Sequence, residues 1–186
     1  MIDNPNPAPI FEALNAHHKT AALRGAIELD LFSAIAGGNH TAAEISGACS
    51  ADARAMRILC DYLVIQGFLT KTGDRYELTP TTQTFLVQGT PAYMGGMVPF
   101  INSPDLMRAF ENIADVVRQG GTLLGDKGTV SDNYEGWVDF ARGMAPMMMP
   151  PAQFISDLVK DLKEGPIRVL DVAAGHGMVG LLLARE

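Results

Sequence analysis

Residues 167–177 have the sequence Ile-Arg-Val-Leu-Asp-Val-Ala-Ala-Gly-His-Gly, a short apolar run followed by a turn of small residues. The β-branched residues at 167–172 predict a buried strand, and the apolar stretch from Met178 to Glu186 predicts a helix after the turn. Small residues between a strand and a helix let the backbone approach a nucleotide, and the free N–H groups of the helix face it. The stretch therefore predicts the start of a nucleotide-binding α/β domain.

The position of Asp171 distinguishes between two kinds of nucleotide site. Residues 175–180 match the G-x-G-x-x-G pattern of dinucleotide sites, but that pattern alone is weak evidence. A dinucleotide site has its acidic residue about 20 residues further along the chain, whereas Asp171 lies inside the first strand. A carboxylate there suits the sulfonium and amino groups of S-adenosylmethionine, and it does not suit a pyrophosphate. The alternative is that Asp171 only caps the turn.

The N-terminal half has the order of elements found in winged-helix domains. Residues 8–36 have apolar residues at helical spacing and predict a helix that is broken or bent once. Thr41 with Glu44 three residues later forms a capping-box pattern, and Asp52 begins a further helix. Residues 68–78 then predict a short hairpin around a glycine-containing turn. Helix, capped helix, helix and hairpin together predict a winged helix.

Helices are also predicted between the hairpin and the glycine-rich turn. Ser103-Pro104 is a strong helix start, and Gly120-Gly121 ends that helix. Residues 134–149 predict another helix, which Pro150-Pro151 is expected to break before a new one begins. The first of these helices has five residues that we expect to form a buried stripe: Leu106, Phe110, Ile113, Ala114 and Val117. The fold class predicted for the chain is therefore mainly α.

The motif Val-Leu-Asp-Val-Ala-Ala-Gly-His-Gly at 169–177 resembles the first cofactor motif of class I S-adenosylmethionine-dependent methyltransferases, with Ala173 in place of the usual first glycine. With the winged helix and helical connector before it, the chain resembles the dimeric O-methyltransferases of plant phenylpropanoid and bacterial polyketide pathways. The resemblance implies three parts. They are a winged-helix dimerisation domain at 1–88, a connector with the acceptor pocket at 89–164, and an incomplete Rossmann-like cofactor domain at 165–186.

The same resemblance implies a methyltransferase that uses S-adenosylmethionine and acts on a small hydroxylated aromatic or polyketide-like acceptor. The family's ribose-binding acid and catalytic histidine are expected beyond Glu186, so no catalytic residue is assigned and these residues alone are expected to be inactive. The residues implied in cofactor binding are Asp171, Ala173, Gly175, Gly177, Phe140, Met144 and Met148. Those implied in acceptor binding are Phe100, Asn102, Met107, Phe110 and Trp137. Plain core packing is the alternative for the aromatic and methionine residues.

The charge and composition of the chain limit its partners. The net charge is −7 and no basic block is present, which argues against nucleic acid binding. The two cysteines and four histidines show no metal-ligand spacing. The beginning of the chain lacks a signal-peptide pattern and no stretch is apolar enough to span a membrane, so we expect a cytoplasmic protein.

Apolar residues left over on the first helix, together with the resemblance, predict a homodimer through the N-terminal domain. A non-catalytic dimerisation module is one alternative function. A winged-helix DNA-binding regulator is a weaker one, because its recognition helix offers only Arg54 and Arg57.

Overall fold

The computed structural model describes residues 5–121, 136–162, 168–172 and 174–185, with no account of the side chains of residues 161 and 162. The chain divides into two compact units, residues 1–93 and 94–186. The described residues are mainly helical, and the sheet among them is a two-stranded hairpin, so the mainly helical fold class is confirmed.

The first unit contains five helices and the hairpin among its described residues. They are α1 (Ala8–Glu28), α2 (Leu31–Ala36), α3 (Ala42–Ala48), α4 (Ala53–Ile65), β1 (Leu69–Thr72), β2 (Arg75–Leu78) and α5 (Pro80–Phe85). The predicted break in the first helical segment lies between α1 and α2, where Asp30 adopts a left-handed conformation with φ of 54°. The hairpin is antiparallel, with Leu69 opposite Leu78 and Thr72 opposite Arg75.

Side-chain hydrogen bonds cap the N-termini of α3 and α4 at the residues that the sequence predicted. The Thr41 hydroxyl accepts from the backbone N–H of Glu44 at 3.3 Å, and the Glu44 carboxylate accepts from the backbone N–H of Thr41 at 2.8 Å. The bonds that the Glu44 carboxylate accepts from the backbone N–H groups of Thr41 and His40 lower the pKa of Glu44 to about 2. Asp52 accepts from the N–H of Ala55 at 2.8 Å. Such caps fix helix starts because they satisfy N–H groups that have no partner in the helix.

The core of the first unit lies between the helices and the hairpin. Tyr76 of β2 is almost fully buried, and its hydroxyl donates to Asp61 of α4 at 2.7 Å. Lys71 of β1 donates to the same carboxylate at 2.6 Å, so the hairpin is held against α4 by charge-assisted bonds. The buried apolar residues are Ala26, Leu31, Phe32, Ile35, Ile45, Met56, Cys60, Leu63, Leu69 and Tyr76.

The second unit begins with a 3-10 helix at Gly95–Met97 and continues through helices. They are α6 (Val98–Ile101), α7 (Pro104–Glu111), α8 (Ile113–Gln119), α9 (Gly136–Leu162) and α10 (Met178–Leu183). Ser103 caps α7 as predicted, accepting from the N–H of Leu106 at 3.4 Å. The single helix expected from Ser103 to Gly120 is interrupted at Asn112, which ends α7 and precedes α8.

Two further predictions about these helices were wrong. Phe110, Ile113 and Val117 were expected to be buried, but they are 68%, 53% and 73% exposed because none of the described residues covers that face. The break expected at Pro150-Pro151 is absent, since α9 is one helix of 27 residues. Prolines remove helix hydrogen bonds and distort a helix, but buried residues on both sides can hold it together. Gly143 before the prolines, and Ala152 and Ser156 after them, are buried.

The segment before the glycine-rich turn is not a paired strand within the described residues. A strand in a parallel sheet is defined by its neighbours, and 168–172 have no strand partner in the part of the chain that is described. Leu170 and Val172 are accordingly 86% and 79% exposed. The helix predicted after the turn is present as α10. Within the described residues, no helix has both the length and the apolar character needed to cross a bilayer.

Candidate functional site

A cavity of about 420 Å³ lies in the second unit between α9 and the glycine-rich turn. Five residues on one face of α9 form one wall, since spacings of three and four residues place side chains on the same side of a helix. The turn forms the other wall. The lining residues are Trp137, Phe140, Ala141, Met144, Met148, Ala174, Gly175 and His176.

Aromatic rings pack together at the N-terminal end of the α9 wall. Trp137 and Phe140 meet edge to face with their centroids 5.4 Å apart, and Phe140 meets Phe100 of α6 at 5.0 Å. Edge-to-face pairs stabilise beyond their buried area, by about 0.5–1.5 kcal/mol each. The orientation of Phe140 at the cavity is therefore set by rings on both sides of it.

Gly143 brings α9 into direct contact with the 3-10 helix that precedes α6. A Cβ atom at Gly143 would lie 2.7 Å from the carbonyl oxygen of Gly96 and 2.8 Å from the Cα atom of Met97. Both are backbone atoms, so no side-chain rotation could relieve the overlap. The absence of a side chain at position 143 therefore lets α9 lie where its aromatic and methionine face forms the cavity wall.

Replacing Gly143 by alanine is expected to destabilise the second unit by about 1–3 kcal/mol, as overpacking of a buried contact does. Thermal unfolding measures the effect. Gly47→Ala in α3 is the matched control, because a Cβ atom at Gly47 meets nothing within 4 Å and alanine favours a helix. Equal melting temperatures for Gly143→Ala and the parent protein would contradict the close contact.

The turn that forms the second wall depends on two glycines. Gly175 and Gly177 have φ angles of 58° and 69°, a backbone conformation that residues other than glycine rarely adopt. The N–H of Gly177 donates to the carbonyl of Ala174 at 2.8 Å, and that of Met178 donates to Nδ1 of His176 at 3.2 Å. These bonds close the turn at the beginning of α10.

Asp171 lies beside this turn. Its Oδ2 atom would be 3.9 Å from a Cβ atom on Gly180, so the carboxylate lies near the first turn of α10. Among the described residues it has no ion pair or hydrogen bond, and it is exposed. An exposed carboxylate without a protein partner is free to bind a cationic group of a ligand.

The other predicted site residues fall into different places. Ala173 lies outside the described residues. The Asn102 side-chain amide donates to the sulfur of Met107 at 3.7 Å, and neither residue lines the cavity. Phe110 is exposed away from it. His176, which the sequence did not assign to the site, does line it. The only signal in the sequence was its place between Gly175 and Gly177.

A second concave surface lies in the first unit, between α1 and α4. This groove has a volume of about 510 Å³ and is lined mostly by alanines and larger apolar residues: His18, Ala21, Ala22, Ala55, Ile58, Leu59 and Tyr62. One to two turns before it on α1, Ile10, Phe11 and Leu14 are 61–67% exposed. The surface is therefore an apolar patch of the kind that marks protein–protein contacts. A group of three His, Cys, Asp or Glu residues able to hold a metal is not found within the described ranges.

Comparisons with known proteins identify relatives of both units. Residues 11–88 match the family model of the O-methyltransferase dimerisation domain. Over 177 residues the chain is 31% identical to 3-hydroxy-5-methyl-1-naphthoate 3-O-methyltransferase from Streptomyces sahachiroi. The aligned region covers 90% of this chain and 49% of that protein. Over 89 residues it is 36% identical to the N,N-dimethyltransferase OxyT from Streptomyces rimosus, covering 48% of this chain and 26% of OxyT.

Solved structures share the fold. A crystal structure from Nostoc punctiforme, assigned as an O-methyltransferase, superimposes with a TM-score of 0.89 at 39% identity, over 98% of this chain and 55% of that one. Human N-acetylserotonin methyltransferase in complex with SAM superimposes with a TM-score of 0.71 at 16% identity, over 100% of this chain and 58% of that one. The resemblance inferred from the sequence is confirmed. The chain spans about half or less of the length of the curated relatives described above.

Proposed function

We propose that this chain is the N-terminal part of an S-adenosylmethionine-dependent O-methyltransferase, since residues 11–88 match the family model of the O-methyltransferase dimerisation domain. The observation that carries the proposal is the cavity between α9 and the glycine-rich turn. Asp171 lies near the first turn of α10 and has no ion pair or hydrogen bond within the described part of the chain. The family match lies in the first unit and the cavity lies in the second. The two therefore support the proposal independently.

The residues around the cavity fit the cofactor. The positive φ angles of Gly175 and Gly177 let the backbone approach a bound molecule closely. Asp171 offers a negative charge to the sulfonium or amino group, and Phe140, Met144 and Met148 offer apolar and polarisable contacts, with Ala173 assigned by the motif alone. S-adenosylmethionine supplies a methyl group made reactive by the positive charge on its sulfur. Aromatic and methionine side chains contact such a cation favourably.

The acceptor is a small hydroxylated aromatic or polyketide-like molecule in this proposal. Trp137 and Phe100, at or next to the cavity, provide flat apolar surfaces for it. Asn102, Met107 and Phe110 are assigned to the acceptor by the resemblance alone. This chain contributes orientation and exclusion of water, and proximity accounts for much of the rate in such transfers. The group that takes the acceptor proton is expected outside these residues, so none of them is assigned as catalytic.

We also propose the domain arrangement inferred from the sequence, with a winged-helix dimerisation domain at 1–88, a connector at 89–164 and the beginning of a Rossmann-like domain at 165–186. The order of α1 to α4 followed by the β1–β2 hairpin supports the winged helix. The exposed apolar residues of α1 and the groove beside α4 support a homodimer through this domain. Isologous contacts between identical surfaces are the usual route to a dimer.

A DNA-binding function receives less support than dimerisation. In the helix that would read the groove, α4, Arg57 is paired with Asp61 at 2.9 Å, which leaves Arg54 as the other arginine. Binding to duplex DNA depends on several phosphate contacts from basic residues. A dimerisation module without catalysis remains the alternative. Binding of S-adenosylmethionine distinguishes the two functions, because a methyltransferase binds the cofactor and a dimerisation module without catalysis does not.

The acceptor atom has a second candidate, nitrogen, because one relative is an N,N-dimethyltransferase. Transfer of a labelled methyl group from S-adenosylmethionine to a panel of hydroxylated and amino-substituted aromatics tests both. The proposal expects label in methyl ethers. Label in methylamines alone would keep the methyltransferase and overturn the choice of oxygen, and label in neither class would favour the non-catalytic module.

Met144→Ala is expected to weaken S-adenosylmethionine binding about fivefold to thirtyfold, which corresponds to the loss of about 1–2 kcal/mol of apolar contact. Calorimetry and thermal unfolding of the protein as its gene encodes it measure affinity and stability separately. The matched control is Met147→Ala on the same helix, since Met147 is exposed and does not line the cavity. A lower melting temperature with unchanged affinity would mean that Met144 only fills the core.

A further inference from the structure

The imidazole of His176 has one nitrogen committed to the turn and one available. Its Nδ1 atom lies 3.2 Å from the backbone nitrogen of Met178, which can only donate a hydrogen bond. Nδ1 therefore accepts this bond and carries no proton. In a neutral imidazole the proton is then on Nε2, which is a hydrogen-bond donor.

The position of His176 places this ring at the cavity. It is half-buried and lines the same space as Met144 and Met148 of α9. Among the described residues that line the cavity, only the side chains of His176 and Trp137 carry hydrogen-bond donors; the others are alanine, glycine, phenylalanine and methionine. A ligand with oxygen acceptors that enters an apolar cavity needs donors there, because an unpaired buried polar atom is costly.

We propose that His176 is a positioning residue for the cofactor, whose Nδ1 atom holds the glycine-rich turn and whose Nε2–H donates to an acceptor oxygen of the bound S-adenosylmethionine. This inference rests on the proposed function and goes further, because it adds a side-chain contact to a turn otherwise described by its backbone. Ribose hydroxyl and carboxylate oxygens are the acceptors that the cofactor offers.

Two substitutions separate the two roles of the ring. The side-chain oxygen of asparagine can occupy the place of Nδ1 and keep the bond to Met178, but asparagine has nothing at the place of Nε2. The side-chain nitrogen of glutamine can occupy the place of Nε2 and donate to the ligand. His176→Asn should therefore keep the turn and lose the ligand contact, whereas His176→Gln should keep the ligand contact.

The test uses the protein as its gene encodes it, titrated with S-adenosylmethionine in a calorimeter. His176→Asn is expected to raise the dissociation constant about twofold to tenfold, the usual effect of one hydrogen bond, with an unchanged melting temperature. His176→Gln should stay within about twofold of the parent protein. In turnover assays the cofactor KM should change with the dissociation constant while kcat does not. His40→Asn is the matched control, since the Nδ1 atom of His40 bonds to the backbone of Tyr76 in the first unit.

The outcomes distinguish this inference from the proposed function. Parent protein that binds S-adenosylmethionine, with His176→Asn binding equally well, would overturn the contact and leave the function standing. A fall in affinity for both variants together with a lower melting temperature would make His176 purely structural and also overturn the contact. Parent protein that binds no S-adenosylmethionine would overturn the proposed function and the contact with it.

Discussion

Asp171→Asn is expected to weaken S-adenosylmethionine binding about tenfold to hundredfold, the largest effect that we expect of any single substitution in the proposed cofactor site. Hydrogen bonds and contacts to charged groups contribute about 1.5–3 kcal/mol, which converts to this range. The carboxylate has no protein partner among the described residues, so the substitution leaves no cation behind and removes only the interaction with the ligand.

Calorimetry measures the affinity, and the melting temperature without cofactor should change little because Asp171 is exposed. Asp157→Asn on α9 is the matched control. Asp157 is also exposed and accepts a bond from Gln153 at 3.0 Å, which an asparagine oxygen can still accept. If the affinities of Asp171→Asn and Asp157→Asn were equal, Asp171 would be a turn residue, which is the alternative that the sequence left open.

The double variant Phe11→Asp, Leu14→Asp is expected to convert a dimer to a monomer at micromolar concentration. Both residues are more than 60% exposed in the single chain, so two aspartates there should not disturb the core of the first unit. Across a two-fold interface each substitution is present twice, and each would bury a charge without a partner. Unpaired charges cost several kcal/mol in such places.

Light scattering during size-exclusion chromatography measures the mass. Ala16→Glu adds negative charge on the opposite side of α1 and should leave the dimer intact, because residue 16 lies about half a turn away from the exposed apolar residues. A parent protein that is already monomeric, or a double variant that remains dimeric, would contradict dimerisation through this surface.

The features predicted correctly from the sequence are those that short-range hydrogen bonds determine. Thr41 with Glu44, Asp52 and Ser103 each cap a helix through a side chain and an N–H three residues away, so the pattern suffices to place the helix start. One break or bend within residues 8–36 was also predicted, and the structure has it at Asp30. The two methionines and Phe140 share one side of α9 because helical spacing alone decides this.

The features that were not predicted depend on what packs against an element. Phe110 and Val117 have the spacing of a buried stripe, but burial requires a second surface, and spacing carries no information about one. The continuation of α9 through Pro150 depends likewise on packing further along the helix, at Ala152 and Ser156. A strand at 168–172 needs neighbours to pair with. His176 was missed because the direction of its ring is set by the geometry of the turn.

Titration of S-adenosylmethionine into the protein as its gene encodes it, and separately into residues 1–186 alone, tests the central claim most directly. We predict saturable binding of one cofactor per chain for the former. For residues 1–186 alone we predict no measurable heat, because Leu170 and Val172 beside the turn are left exposed. Absence of binding to the protein as its gene encodes it would contradict the account. Tight binding to residues 1–186 alone would show that the cavity between α9 and the turn is complete without further chain.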